Sequence, residues 1–208
     1  IRLVFLSSST VYGNFTKSEV DEKDACNPFG MYAVLKHTAE RLLDEVSRHT
    51  KLNYSIVRPS ALYGERCISR RVSQIFLENA FNDRELVFKG NPDEKLDFTY
   101  IQDVVQGLIL AGFHGKAYRE LFNITYGHAQ PVLRLTEILK DYCPNLVLKI
   151  EPRDQATPMR GTLSNRKASE LLGFESEWDL ENGYRQYIEW YMSRKKDLIF
   201  SKVAQTNE

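Results

Sequence analysis

Residues 1–13 read IRLVFLSSSTVYG. The first six are mostly apolar and β-prone, a run suited to a strand covered on both faces. Ser7, Ser8, Ser9 and Thr10 then break it. Hydroxyls at the carboxyl end of a parallel strand stand where open α/β sheets bind ligands, so these four either cap the next element or line a site. Tyr32 follows 19 residues after Gly13, within GMYAVLKHTAE at residues 30–40.

Outward from this stretch, strands and helices alternate. Residues 12–29 are polar and irregular, punctuated by Gly13, Asn14, Asn27 and Pro28. From Tyr32 to about His49, Ala33, Leu35, Ala39, Leu42, Leu43 and Val46 recur at helical spacing as an apolar face, with Glu40, Arg41, Asp44 and Glu45 on the wet face. NYSIVRP (53–59) reads as a strand that Pro59 ends. A helix over Ser69 to Phe81, strands at ELVFKG (85–90) and LDFTYI (96–101), and a helix from an Asp103 N-cap follow. Further on come a strand at LFNITYG (121–127), a helix at LRLTEILKDYC (133–143), a strand at LVLKIEP (146–152), a short helix ended by Gly173 and a terminal helix. Strands separated by helices predict an α/β fold, a doubly wound Rossmann-type parallel sheet with a small α/β lobe.

The chain has 208 residues, 42% apolar and 27% charged, enough for a real core. Lys plus Arg equals Asp plus Glu at 28 each, which gives no reason to expect nucleic acid or an anionic membrane as a partner. Cys26, Cys67 and Cys143 are widely spaced and form no Cys-x-x-Cys pair, against a disulfide framework or a metal site. A reducing, cytoplasmic compartment is the expectation. No apolar run approaches the roughly 18 residues of a membrane helix.

Tyr32 and Lys36 stand at i and i+4, so both project from one helix face. A free phenol ionises near pH 10, and service as a base near neutrality needs roughly 4 kcal/mol in favour of the phenolate. A neighbouring ammonium supplies part of that. Tyr191 and Lys195 repeat the spacing on the terminal helix. What distinguishes Tyr32 is the hydroxyl-rich strand end 24 residues before it, which the intervening loop can bring alongside.

SSSTVYG (7–13), NPFGMYAVLK (27–36), RPSALYG (58–64) and LDFTYIQDV (96–104), in this order, resemble the extended short-chain dehydrogenase/reductase family, specifically its NAD-dependent nucleotide-sugar epimerases and dehydratases, UDP-glucose 4-epimerase-like. The likeness runs on to PRD (152–154) and KASELLGF (167–174). It implies a catalytic role for Ser8, Tyr32 as base and Lys36 as the lysine that lowers its pKa and holds the nicotinamide ribose. It places Ser7, Tyr32, Lys36, Pro59 and Ser60 against NAD. Ser8, Tyr32, Arg71 and Arg153 fall to the sugar nucleotide, Arg153 matching a diphosphate-gripping arginine; Arg70 adjoins Arg71. Residues 1–62 and about 97–127 correspond to the cofactor domain, and 63–96 and 128–208 mainly to the substrate lobe. A homodimer through the Tyr32 helix is implied for the full-length protein.

Family members open with a Gly-x-x-Gly-x-x-Gly unit, and none of the 11 glycines forms one. The expectation is a carboxyl-terminal fragment, inactive by itself and weak toward NAD. Family dehydratases carry Asp-Glu directly after the catalytic hydroxyl, and decarboxylating members a glutamate, where this chain has Ser9 and Thr10. The pattern therefore favours 4-epimerisation of a UDP-hexose by transient oxidation, with 4,6-dehydration or 4-ketosugar reduction as alternatives and a non-catalytic dinucleotide sensor or subunit as the alternative of another class. Sugar recognition departs from the family pattern at Ala61, Leu96 and the run Asp154, Gln155, Ala156.

Overall fold

The computed structural model describes residues 1–67, 69, 71–153 and 158–205, with side chains of the last helix described as far as Arg194. In chain order the principal elements are β1 (Leu3–Leu6), α1 (Met31–His49), β2 (Tyr54–Pro59), α2 (Val72–Ala80), β3 (Leu86–Lys89), α3 (Ile101–Phe113), β4 (Glu120–Ile124), α4 (Arg134–Lys140), β5 (Leu148–Glu151), α5 (Arg166–Leu172) and α6 (Leu180–Gln205). Strands β1, β2 and β4 form a parallel sheet with β2 in the middle, and β3 pairs with β5, also in parallel. The α/β architecture expected from the alternation is present.

Successive side chains of a strand point to opposite faces, and β2 uses both. Tyr54 reaches Asp44 of α1 at 3.3 Å and Arg58 reaches Glu40 of the same helix. In between, Ser55 donates to the Ala111 carbonyl of α3 at 2.7 Å, and Val57 packs in one apolar cluster with Ala111, Phe122 and Ile124. Helices α1 and α3 thus cover opposite faces of the sheet. Gly107 lets α3 come close, since a Cβ there would lie 2.3 Å from Ile124 Cγ2.

A second cluster joins α2, α4 and α6 to β3 through Phe76, Leu86, Phe98, Leu135, Tyr184 and Tyr187. Tyr191 of α6 packs on Phe81 with ring centroids 5.7 Å apart, a core contact; the Lys195 side chain lies outside the described residues.

Several expectations are corrected. On α1, the residues facing the sheet are Ala33, Glu40 and Ser47, whereas Leu35, Leu42 and Val46 are exposed. Glu40 is buried because Arg58 and Ser7 satisfy its carboxylate, a compensation that hydropathy cannot register. Asp103 is the third residue of α3 instead of its cap, and it accepts the amides of Glu177 and Trp178 at 3.1 and 3.3 Å. The strand at LDFTYI is two two-residue ladders, Lys95–Leu96 and Thr99–Tyr100, broken by buried Asp97 and Phe98. Among the described residues no helix is long and apolar enough to cross a membrane.

Candidate functional site

At the carboxyl end of β1 and β2 lies a cavity of about 320 Å³. Ser7, Ser8, Tyr32, Lys36, Pro59, Ser60 and Arg71 all line it, so seven of the eight residues singled out in the sequence meet in one place. Arg153 does not. It lines a neighbouring cavity and pairs with Glu94 at 2.9 Å. Residues 70 and 154–157, which include Arg70 and the divergent run after Arg153, lie outside the described residues.

Ser8 answers the question raised by the hydroxyl run in both senses. It is the N-cap of a short 3-10 turn, Ser9–Tyr12, and its Oγ accepts the Thr10 amide at 3.2 Å. Its own proton has no acceptor among the described residues, which leaves it available to a ligand. Gly13 closes the turn with φ +70, pressed against the Asn27 carbonyl, and so ties the serine loop to the loop that leads into α1.

Tyr32 is half exposed at the first turn of α1. Lys36, one turn on, donates to the Leu6 carbonyl at 2.7 Å and stands 5.7 Å from the Tyr32 ring centroid. A strand-end carbonyl therefore fixes the ammonium on the side of the phenol.

Behind this surface is a buried polar network. Ser7 Oγ donates to Glu40 Oε1 at 2.5 Å, and Arg58 donates to both Glu40 oxygens at 2.9 and 2.5 Å. The Ser7 hydroxyl is thus turned to the protein, a departure from the cofactor contact expected of it. Arg58 also stacks on Tyr12, 4.6 Å to the ring centroid, and Tyr12 donates to Asn123 at 2.8 Å. Burial works against the Arg58 charge, but its hydrogen bonds to Glu40, together with the electrostatic pull of Tyr12, Glu40 and Cys26, outweigh it and hold the guanidinium above its usual range. Cys26, His37 and Glu40 cluster here with ligand atoms within 4.8 Å, around a guanidinium that already supplies the positive charge. Burial pushes the Cys26 thiol up.

Two members of the site were not singled out in the sequence. Glu40 follows Lys36 by four residues, so helical spacing alone could have placed it on the same face. Arg160, whose Nη1 donates to Ser9 Oγ at 2.8 Å, carries no local signal. Burial first and then the Arg71 charge hold its guanidinium down to about 10.

The family model described as "NAD dependent epimerase/dehydratase family" matches residues 1–125. UDP-glucuronate 4-epimerase 4 of Arabidopsis thaliana is 28% identical over 212 residues, 92% of this chain and 48% of that protein. The dTDP-D-glucose 4,6-dehydratase of Mus musculus is 22% identical over 201 residues, 91% of this chain and 55% of that protein. The crystal structure of UDP-glucose 4-epimerase with UDP-glucose from Thermotoga maritima superposes with a TM-score of 0.84 at 27% identity, over 93% of this chain and 64% of that one. The chain thus spans less than two thirds of the length of these relatives.

Proposed function

The chain belongs to the NAD-dependent epimerase/dehydratase family, and from that premise we propose that it carries the chemistry of a nucleotide-sugar 4-epimerase. The observation that carries this reading is the convergence of Ser8, Tyr32 and Lys36 on one cavity in which the two positions after Ser8 hold hydroxyls, Ser9 and Thr10, and no acid. Elimination of water across carbons 5 and 6 takes a proton from carbon 5 and the hydroxyl from carbon 6, and needs an acid and a base beyond the Ser/Tyr/Lys set. Reversible oxidation at carbon 4 does not.

In this reading Tyr32 removes the proton of the sugar's 4-hydroxyl, and Lys36 favours the phenolate by its charge. Ser8, its oxygen already occupied by the Thr10 amide, donates its proton to the oxygen on carbon 4. Lys36, Tyr32, Pro59 and Ser60 line one cavity and fit the nicotinamide end of NAD: Lys36 and Tyr32 would hold its ribose, and Pro59 and Ser60 would flank the nicotinamide. When bound, NAD takes up the carbon-4 hydride and returns it. No glycine-rich cradle for the pyrophosphate occurs in the 208 residues.

Arg71, at the rim of the cavity with Nε on Ser69 Oγ at 3.1 Å, is assigned to the diphosphate by its forked geometry. Arg153 joins it only on leaving Glu94. Residues 1–62 and 97–127 form the cofactor side and 63–96 and 128–208 mainly the substrate side, with α5 packed against the sheet cluster. The exposed Leu35, Leu42 and Val46 of α1 support a homodimer, which light scattering tests. We place the protein in the cytoplasm.

The deciding experiment supplies UDP-glucose deuterated at carbon 4, with NAD, to the full-length protein. The expected product is the 4-epimer with the label retained. A 4-keto-6-deoxy product, or reaction only with stoichiometric NADH, overturns the epimerase reading; NAD binding with no turnover of any nucleotide sugar favours the sensor class.

A further inference from the structure

The buried network of Glu40 and Arg58 opens to solvent on one side, and there it gathers metal-ligating atoms. His37 and Glu40, at i and i+3 of α1, share a helix face. Cys26 comes to the same place from the loop before α1, where the carbonyl of its neighbour Asn27 is pressed against Gly13. Cys26 Sγ, His37 Nδ1 and a Glu40 oxygen all lie within 4.8 Å of one another. Cysteine spacing in the sequence gives no sign of this set, because loop and helix must fold together to assemble it.

Two details point to a ligand here. His37 Nδ1 is buried without a hydrogen-bond partner among the described residues, and it stands 3.5 Å from Glu40 Oε2. That is longer than the roughly 2.7–3.2 Å of an N–H···O bond. It matches the spacing of two ligands on one tetrahedral zinc ion, about 3.4 Å when each is about 2.1 Å from the metal. The second detail is the way Arg58 is held. Its Nη2 sits within the cluster, 2.5 Å from Glu40 Oε2 and 3.3 Å from Cys26 Sγ, whereas Nη1 is buried with no partner. Nε grips Glu40 Oε1 separately at 2.9 Å, so the Nη2 corner can turn away while that bond and the stack on Tyr12 remain. His37 keeps 30% of its side chain exposed and Cys26 is only partly buried, which gives an ion a way in.

We propose that Cys26, His37 and Glu40 bind one divalent cation of the zinc class, which takes the place of the Nη2 corner of Arg58. Thiolate, imidazole and carboxylate fill three positions of a tetrahedral site and water fills the fourth. A thiolate with an imidazole favours zinc over magnesium or calcium. Coordination requires the thiolate, so the Cys26 proton passes to solvent as the ion enters. None of the three ligands lines the cavity that holds Ser8, Tyr32 and Lys36, so the proposal does not depend on the nucleotide-sugar reading.

Titration of Co²⁺, a spectroscopic stand-in for Zn²⁺, into the full-length protein tests this, followed by the thiolate-to-cobalt charge-transfer band. One equivalent is expected to bind with that band, and Zn²⁺ but not Mg²⁺ should displace it. Cys26→Ser should remove the band, and His37→Gln should weaken Co²⁺ binding at least about ten-fold, since even the outer partners of a metal site are worth that much. Both substitutions leave Glu40 and Arg58 in place. Cys67→Ser combined with Cys143→Ser should change neither the band nor the affinity. Absence of the band in the unsubstituted protein overturns the proposal, and this arm does not depend on any variant folding. A band that survives Cys26→Ser overturns it by moving the metal elsewhere, and an affinity unchanged by His37→Gln overturns it by leaving the metal on the thiol without the imidazole.

Discussion

Glu40 and Arg58 hold each other in the interior through hydrogen bonds of 2.9 and 2.5 Å, each with only 4% of its side chain exposed. The pair joins α1, which carries Tyr32 and Lys36, to β2, which ends in Pro59. Ser7, on the third element of the site, shares the same carboxylate. Three segments that line the proposed site are therefore tied at one point.

Removing one member leaves the other buried and unpaired. Glu40→Ala or Arg58→Ala is expected to lower unfolding free energy by about 3–5 kcal/mol. Glu40→Leu combined with Arg58→Leu should cost less than the sum of the single changes. Urea denaturation of the four proteins measures the coupling, and strict additivity would refute it.

Tyr32→Phe removes the proposed proton acceptor and leaves the ring in place. In the full-length, NAD-bound protein, turnover is expected to fall by about 10²–10⁴-fold, with cofactor affinity changed only a few-fold. Rapid-quench assays and NAD titration separate the two effects. Unchanged turnover would sink the assignment.

None of the 11 glycines forms a Gly-x-x-Gly-x-x-Gly unit, so the proposed site offers NAD only its nicotinamide end. Its Kd for NAD is therefore expected to be weaker than micromolar, less than about 8 kcal/mol of binding. Fluorescence titration that returns micromolar or tighter binding would show that the glycine-rich cradle is dispensable.

Asp97 is wholly buried and accepts the amides of Leu163 and Gly127 at 3.0 and 3.2 Å and the Thr125 hydroxyl at 3.3 Å. Burial outweighs these bonds and pushes its carboxyl up to about 7. The folded protein thus keeps a proton that the unfolded chain, with an ordinary value near 3.9, releases. Its contribution to stability is complete below about pH 4 and is lost as pH rises to about 7. The urea midpoint should accordingly fall across this window less steeply in Asp97→Asn than in the unsubstituted protein; identical slopes would contradict the shift.

Gly107→Ala places a methyl 2.3 Å from Ile124 Cγ2, across the contact that seats α3 on the sheet. A loss of about 1–3 kcal/mol is expected. Ile124→Ala, which removes Cγ2, should therefore cost less in the Gly107→Ala background than in the unsubstituted protein, as thermal unfolding would register.

The sequence made the site legible where its information is local. Tyr32 and Lys36 share a face through helical spacing alone, and the break from LVFL into hydroxyls marks a strand end wherever the rest of the sheet lies. Glu40 was misread as solvated because its partner Arg58 is 18 residues away on a strand. The exposed Leu35, Leu42 and Val46 invert the usual meaning of an apolar stripe, since the sheet-facing side of α1 is small and polar. Arg160 was invisible for a different reason. It sits in a loop without periodicity, and only the tertiary fold carries it to Ser9, 151 residues earlier.

The partner that fixes Ser8 is the backbone amide of Thr10, which every residue except proline supplies. Side chains at positions 9 and 10 can therefore change without disturbing the reactive hydroxyl. The serine hydroxyl and the wall beside it are thus held by different atoms, main chain for the one and side chains for the other, so the wall can be recut without moving the hydroxyl.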